Sequence, residues 1–174
     1  MDDLFRRFLE SPNRESYMAV RSALVSSEYY DPYSRETDAI EDLLEAGKLE
    51  AARERIFAAM PNLLLSPSVH FMLSFIAQSS QHQERAKLEE FIAVACCEGI
   101  LSTGEGTKSE PYVVVRISDE YDILRYLGRQ FRSQALIHDG DSHFDLLECD
   151  GSELWFDITD AFNRHQDVFY RSSR

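Results

Sequence analysis

Through residues 1–101 apolar positions recur every three to four residues, and turn-forming residues cut the pattern into helices. Leu4, Phe5, Phe8 and Leu9 make one face of a short N-terminal helix that Pro12 stops. Asn13 is placed to cap a second helix, in which Tyr17, Val20 and Leu24 share a face. An aromatic turn, Tyr29-Tyr30-Asp31-Pro32-Tyr33, follows, with Ser34 as the next cap. Ile40, Leu43 and Leu44 then mark one helix, and Leu49, Ala52, Ile56 and Ala59 the next. Gly47 lies between them, where a helix end needs positive φ. This is an αα-hairpin, ended by Pro61. Ser66-Pro67 opens a helix with Val69, Met72, Leu73 and Ile76 on one side. Phe71 and Phe75 add a second apolar stripe to it, which leaves His70, Ser74 and Gln78 as a polar seam. The last helix of this half carries Leu88, Phe91, Ile92, Ala95 and Cys96 before Gly99.

The two hairpins resemble each other. Ala52 and Ala86 lie 34 residues apart, as do Phe57 and Phe91. That is the tetratricopeptide period, although the full motif is missing and a generic helical bundle fits the same positions. Beyond Gly99 the period falls to two. Tyr112 to Ile117 reads as a buried β-branched strand, and Ser118-Asp119-Glu120 as a helix start with acids in its first turn. Phe131 to His138, Ser142 to Cys149 and Glu153 to Ile158 follow as three strands, with Asp139-Gly140 and Asp150-Gly151 as hairpin turns. The predicted class is α+β: tetratricopeptide-like hairpins over 1–101, a connecting loop over 102–111, a small, mostly antiparallel β-α-β-β-β sheet over 112–159, and a tail over 160–174. The tail is expected to form a helical turn from Phe162.

The connecting loop, with Gly104 and Gly106 followed by Thr107 and Lys108, invites a phosphate-loop reading and fails it. A Walker-type loop lies between a strand and the helix that receives the phosphate, whereas here a helix precedes and a strand follows. Pro111 removes a backbone N–H, and Glu105 and Glu110 repel an anion.

Charge narrows the partners. The chain of 174 residues has a net charge of −13, which disfavours nucleic acid and anionic lipid. No apolar run is long enough to span a bilayer. The acidic start MDDLFRRFLESP lacks the apolar stretch of a signal peptide, so a cytoplasmic location is expected. Cys96, Cys97 and Cys149 show no C-x-x-C spacing and read as reduced structural thiols.

Several short stretches carry a family resemblance. These are Tyr30-Asp31-Pro32-Tyr33-Ser34, Gly104-Glu105-Gly106-Thr107, Pro111-Tyr112-Val113-Val114, Ser118-Asp119-Glu120-Tyr121 and Trp155-Phe156-Asp157-Ile158. They resemble an uncharacterised bacterial family, a domain of unknown function (number 4919), in which helical hairpins precede a strand-rich segment. The likeness runs from about residue 28 to residue 159. It implies the two-part architecture and no particular activity, substrate or cofactor.

Candidate chemistry is sparse. A loop over Asp139–Ser142 would set His138 opposite His143, and with Asp141 they make a weak metal-ligand set. A polar hairpin tip accounts for the same residues. Asp145, Glu148, Glu153 and Asp157 suggest paired carboxylates, or simply a solvated acidic strand face. No catalytic constellation and no cofactor site emerges. The leading expectation is a non-enzymatic adaptor that binds a protein or peptide, with a basic partner favoured. Tyr30, Tyr33, Glu41, Glu45, His70, Ser74 and Gln78 are its candidate contacts. The alternative is a small hydrolase or metal-dependent enzyme built on the carboxylates and histidines of the strand-rich half.

Overall fold

Asn13 shows how local chemistry places the helices. Its side-chain oxygen accepts from the Ser16 amide at 3.0 Å while the Ser16 hydroxyl accepts from the Asn13 amide at 3.2 Å, so both ends of the first turn are satisfied. The computed structural model of the chain describes residues 1–164. Six helices come first: α1 (Asp2–Glu10), α2 (Arg14–Val25), α3 (Glu36–Glu45), α4 (Leu49–Ala58), α5 (Pro67–Ser79) and α6 (Gln83–Leu101). Then follow β1 (Tyr112–Val113), α7 (Ser118–Tyr126), β2 (Ser133–Asp139), β3 (Ser142–Cys149) and β4 (Ser152–Asp157). Residues 159–164 open a further helix, earlier than the expected turn at Phe162, and the rest of that tail lies outside the described residues. The protein is α+β, with helices N-terminal and strands C-terminal.

The sheet order is β1-β4-β3-β2, with β1 parallel to β4 and the other pairs antiparallel. Gly47 turns α3 into α4 at φ 71°, as expected. Several local expectations change. Arg35, not Ser34, directly precedes α3, although the Ser34 hydroxyl accepts from the Glu36 amide at 3.3 Å. The strand expected over Tyr112–Ile117 stops at Val113. There the Asp119 carboxylate accepts from the Val115 and Arg116 amides at 3.3 and 2.9 Å and bends the chain into α7. Ser118 is therefore the first residue of α7 and not its cap. Ser66 does not cap α5 with its side chain; its hydroxyl meets that of Ser68 at 3.2 Å.

Gly99 does not end α6, which continues to Leu101. A Cβ at Gly99 would lie 2.5 Å from the Tyr17 ring and 3.1 Å from Phe8, so glycine lets α6 press against α1 and α2. Gly99→Ala is expected to destabilise the protein by about 1–3 kcal/mol through this overpacking. A shift in the urea midpoint measures it, and an unchanged midpoint would show that the two rings move aside freely.

The core divides in a way the change of period does not mark. Phe8, Tyr17, Leu24, Ile92, Cys96 and Ile100 of α1, α2 and α6 share one cluster with Val114, Ile123, Leu147 and Phe156 of the strand-rich half. A second cluster belongs to α3, α4, α5 and the segment between them, with Ile40, Ala52, Ile56, Leu63, Val69 and Leu73. Polar ties reinforce the first. The Arg21 guanidinium donates twice to the Val114 carbonyl, at 3.1 and 3.0 Å, and Tyr30 Oη donates to the Val115 carbonyl at 2.7 Å. Buried Arg116 donates to the carbonyls of Asp31 and Ser34 at 3.0 and 2.8 Å. The aromatic turn after α2 is thus bound to the segment after β1.

Candidate functional site

The groove that best combines shape and chemistry lies where α3, α5 and α7 meet. Asp122 of α7 sets this junction, because its Oδ2 accepts from the Ser68 amide in the first turn of α5 at 3.0 Å. The carboxylate therefore supplies the acceptor that Ser66 does not, and its negative charge suits a helix N-terminus. On the surface above, Glu41, Leu44 and Glu45 face Ser68, Phe71, Met72 and Phe75, with Arg125 at one end, around a hollow of about 340 Å³. A second hollow of about 380 Å³, lined by Phe71, Asp122, Arg125 and Tyr126, continues it. Phe71, Phe75 and Tyr126 are 42%, 50% and 39% exposed. Three large exposed rings thus form one apolar patch on the surface of the described residues. Arg125 reaches Asp122 at 3.5 Å, so among the described residues the unpaired charge on the rim comes from Glu41 and Glu45.

The sequence candidates separate into those at the surface and those inside. Glu41 and Glu45 line the groove. Gln78 is exposed further along α5. Tyr33 is 42% exposed, stands near Asp145 and Glu120, and lines neither hollow. Tyr30, His70 and Ser74 are corrections: each is buried and none is offered to a partner. Tyr30 spends its hydroxyl on Val115. His70 places Nδ1 2.8 Å from a Glu89 oxygen and Nε2 3.0 Å from the Leu64 carbonyl, tying α5 to α6. A histidine with both nitrogens occupied by acceptors has nothing left to offer a ligand.

The hairpin tip has the expected cross-strand geometry with a tighter turn. His138 pairs with His143, and only Gly140 and Asp141 form the turn. The two Nδ1 atoms are 2.7 Å apart, so one ring donates and the other accepts, and the His143 ring lies 3.9 Å from that of Phe162. Asp141 is exposed in the turn. Among the described residues no group of three His, Cys, Asp or Glu side chains is placed to hold a metal ion. Glu148 stands opposite Glu153, as two-residue turn geometry requires. The Ser133 hydroxyl donates to Glu148 at 2.6 Å, which eases that like-charge pair.

The acid pairing the strand pattern suggested is real for one member, with a different partner. Asp145 on β3 lies near Glu120 on α7, and the Gln134 amide donates to Asp145 at 2.7 Å and to Glu120 at 3.4 Å. Burial, then the Asp145 charge, pushes the Glu120 carboxyl well above its usual range. Burial also raises Asp145 and Asp122, and lifts Asp119 to about 7 against the opposing Arg116 guanidinium. Glu120 and Asp119 are fully buried, and one oxygen of each has no hydrogen-bond partner among the described residues. Both carboxyls are enclosed by the described residues and present no surface to a substrate.

The glycine loop binds itself. The Glu105 and Thr107 amides both donate to the Glu110 carbonyl, at 2.8 and 3.2 Å, and so do not face an anion. Sequence reasoning missed Phe71, Phe75, Arg125 and Tyr126 as groove residues. The available signal was α5 itself, whose two apolar stripes exceed what one core contact needs. Comparison of the chain with family models, with curated proteins and with solved structures finds no match.

Proposed function

We propose that the protein is a non-enzymatic binding module whose α3–α5–α7 groove takes a basic, amphipathic segment of a partner protein. The observation that carries this reading is the exposed Phe71-Phe75-Tyr126 strip bordered by Glu41 and Glu45. Apolar anchors of the partner would cover the rings, and its lysines or arginines would meet the two glutamates. The helix pairs α3–α4 and α5–α6 are read as tetratricopeptide-like, with Ala52 and Ala86 buried at matching positions of their second helices. A cytoplasmic setting fits the acidic, cysteine-containing chain, and no helix of the described residues is long and apolar enough to cross a membrane. No cofactor or metal is invoked.

The test uses a partner recovered by pull-down and then purified. Phe71→Ala with Phe75→Ala is expected to weaken binding at least about tenfold, since buried aromatic anchors dominate such interfaces. Glu41→Lys with Glu45→Lys is expected to slow association and to flatten its salt dependence. Both pairs lie on the surface, so thermal stability should change little. Unchanged affinity in both double variants would remove the groove from consideration.

A further inference from the structure

The two edges of the sheet are finished very differently. β1 is two residues long, and the chain around it is occupied. The Val113 amide donates to Thr103 Oγ1 at 2.7 Å, and the carbonyls of Val114 and Val115 accept from Arg21 and Tyr30. β2 is seven residues long, lies at the opposite edge, and is exposed at every residue except half-buried Ile137. It contains no proline or lysine, two of the devices that usually block an edge from pairing.

Register shows which backbone groups face outward. Asp139 and Ser142 flank the two-residue turn, so they exchange hydrogen bonds with each other. Alternation then commits Asp139, Ile137, Ala135 and Ser133 to β3 and turns the amides and carbonyls of His138, Leu136 and Gln134 away from the sheet. Among the described residues none of these outward groups has a hydrogen-bond partner.

Charge along the edge selects the occupant. Arg129 and Arg132 precede the strand, and Asp139 and Asp141 end it. Arg132 already meets Asp150 at 3.1 Å and Asp139 meets Lys108 at 3.3 Å, so among the described residues Arg129 and Asp141 carry the gradient. An antiparallel partner carrying the same sequence meets that gradient in the opposite sense and satisfies it at both ends; a parallel one sets like charge beside like. We propose that β2 of two copies of the chain pair antiparallel about a two-fold axis at Leu136, joining their sheets into one. In this register Leu136, 46% exposed in the single chain, packs on its counterpart. Gln134 falls opposite His138, Ser133 opposite Asp139, and Arg132 beside the acidic turn. The three outward residues supply about six new main-chain hydrogen bonds.

The test is the oligomeric state of the full chain by sedimentation velocity over a wide concentration range, at salt high enough to screen the general repulsion. A concentration-dependent dimer is expected. Leu136→Lys places two like charges side by side and is expected to weaken dimerisation at least about tenfold. Leu136→Pro removes an amide that bonds nothing within the chain and is expected to abolish it. Should the proline variant unfold, the lysine variant still decides the matter. Amide exchange at Gln134, Leu136 and His138 should slow as the dimer fills. A wild-type monomer at every concentration, or a dimer that survives Leu136→Lys, overturns the proposal. So does protection of those three amides in dilute protein, which would show the edge covered by the chain itself.

Discussion

Replacing Arg116 by Ala is expected to cost the fold about 2–5 kcal/mol, because deleting a large buried side chain leaves a cavity and unpaired carbonyls. Arg116 is 2% exposed, and its guanidinium holds the carbonyls of Asp31 and Ser34 against the segment that follows β1. Deletion leaves a cavity, strands the Ser34 carbonyl, and withdraws the cation nearest Asp119 in effect. The Asp31 carbonyl suffers less, because the Asn62 amide also donates to it at 3.0 Å. Arg116→Met separates these contributions. It refills most of the volume without the hydrogen bonds and should lose about 1–3 kcal/mol. Urea unfolding with linear extrapolation reads both. A loss below about 1 kcal/mol for the alanine variant would mean that the turn and the strand-rich half are held together by apolar packing alone.

Most features that depend on neighbours in sequence were legible from the sequence, the end of β1 excepted, and features that depend on distant neighbours were not. Gly47, Gly140 and Gly151 all adopt positive φ at the turns their sequence context demanded. The Asn13 cap and the His138–His143 register follow from spacing of a few residues. Val113-Val114-Val115 looked like the middle of a strand because β-branched residues favour one. What ends that strand is the Asp119 carboxylate, a hydrogen-bond acceptor that composition cannot distinguish from an ordinary first-turn acid. Glu120 stands in the first turn of α7 as expected, but its burial was not legible, for the same reason. A helix dipole favours an acid there, but packing of α7 against β2 and β3 buries it beside Asp145. His70 and Ser74 form a polar seam in projection, yet their partners Glu89, Leu64 and the surrounding core come from other segments. The groove needed α3, α5 and α7 placed together before two spare phenylalanines became a surface.

The buried carboxyls make stability depend on pH in a direction opposite to that of most ion-paired acids. Asp119 rises from an ordinary 3.8 to about 7 in the folded protein, chiefly through burial. Between those values the native chain holds a proton that the unfolded chain has released, so unfolding releases it and becomes easier as pH rises. The stabilising effect is complete below about pH 4, declines through the interval to about pH 7, and is gone above it. Three units at about 1.36 kcal/mol each give a loss on the order of 4 kcal/mol from this group. Glu120, Asp122 and Asp145 shift in the same direction and add to the slope. Relief of general repulsion in a chain of net charge −13 acts the same way, so a specific variant is needed. Asp119→Asn keeps an oxygen for the Val115 and Arg116 amides but cannot ionise. Its urea midpoint is expected to change less than that of the wild type between about pH 5 and pH 8, and to lie above it at the alkaline end. Arg116 opposes the upward shift of Asp119, so in Arg116→Met the falling limb should extend to higher pH. Parallel pH profiles for the wild type and Asp119→Asn would place the whole effect on surface charge and remove Asp119 from it.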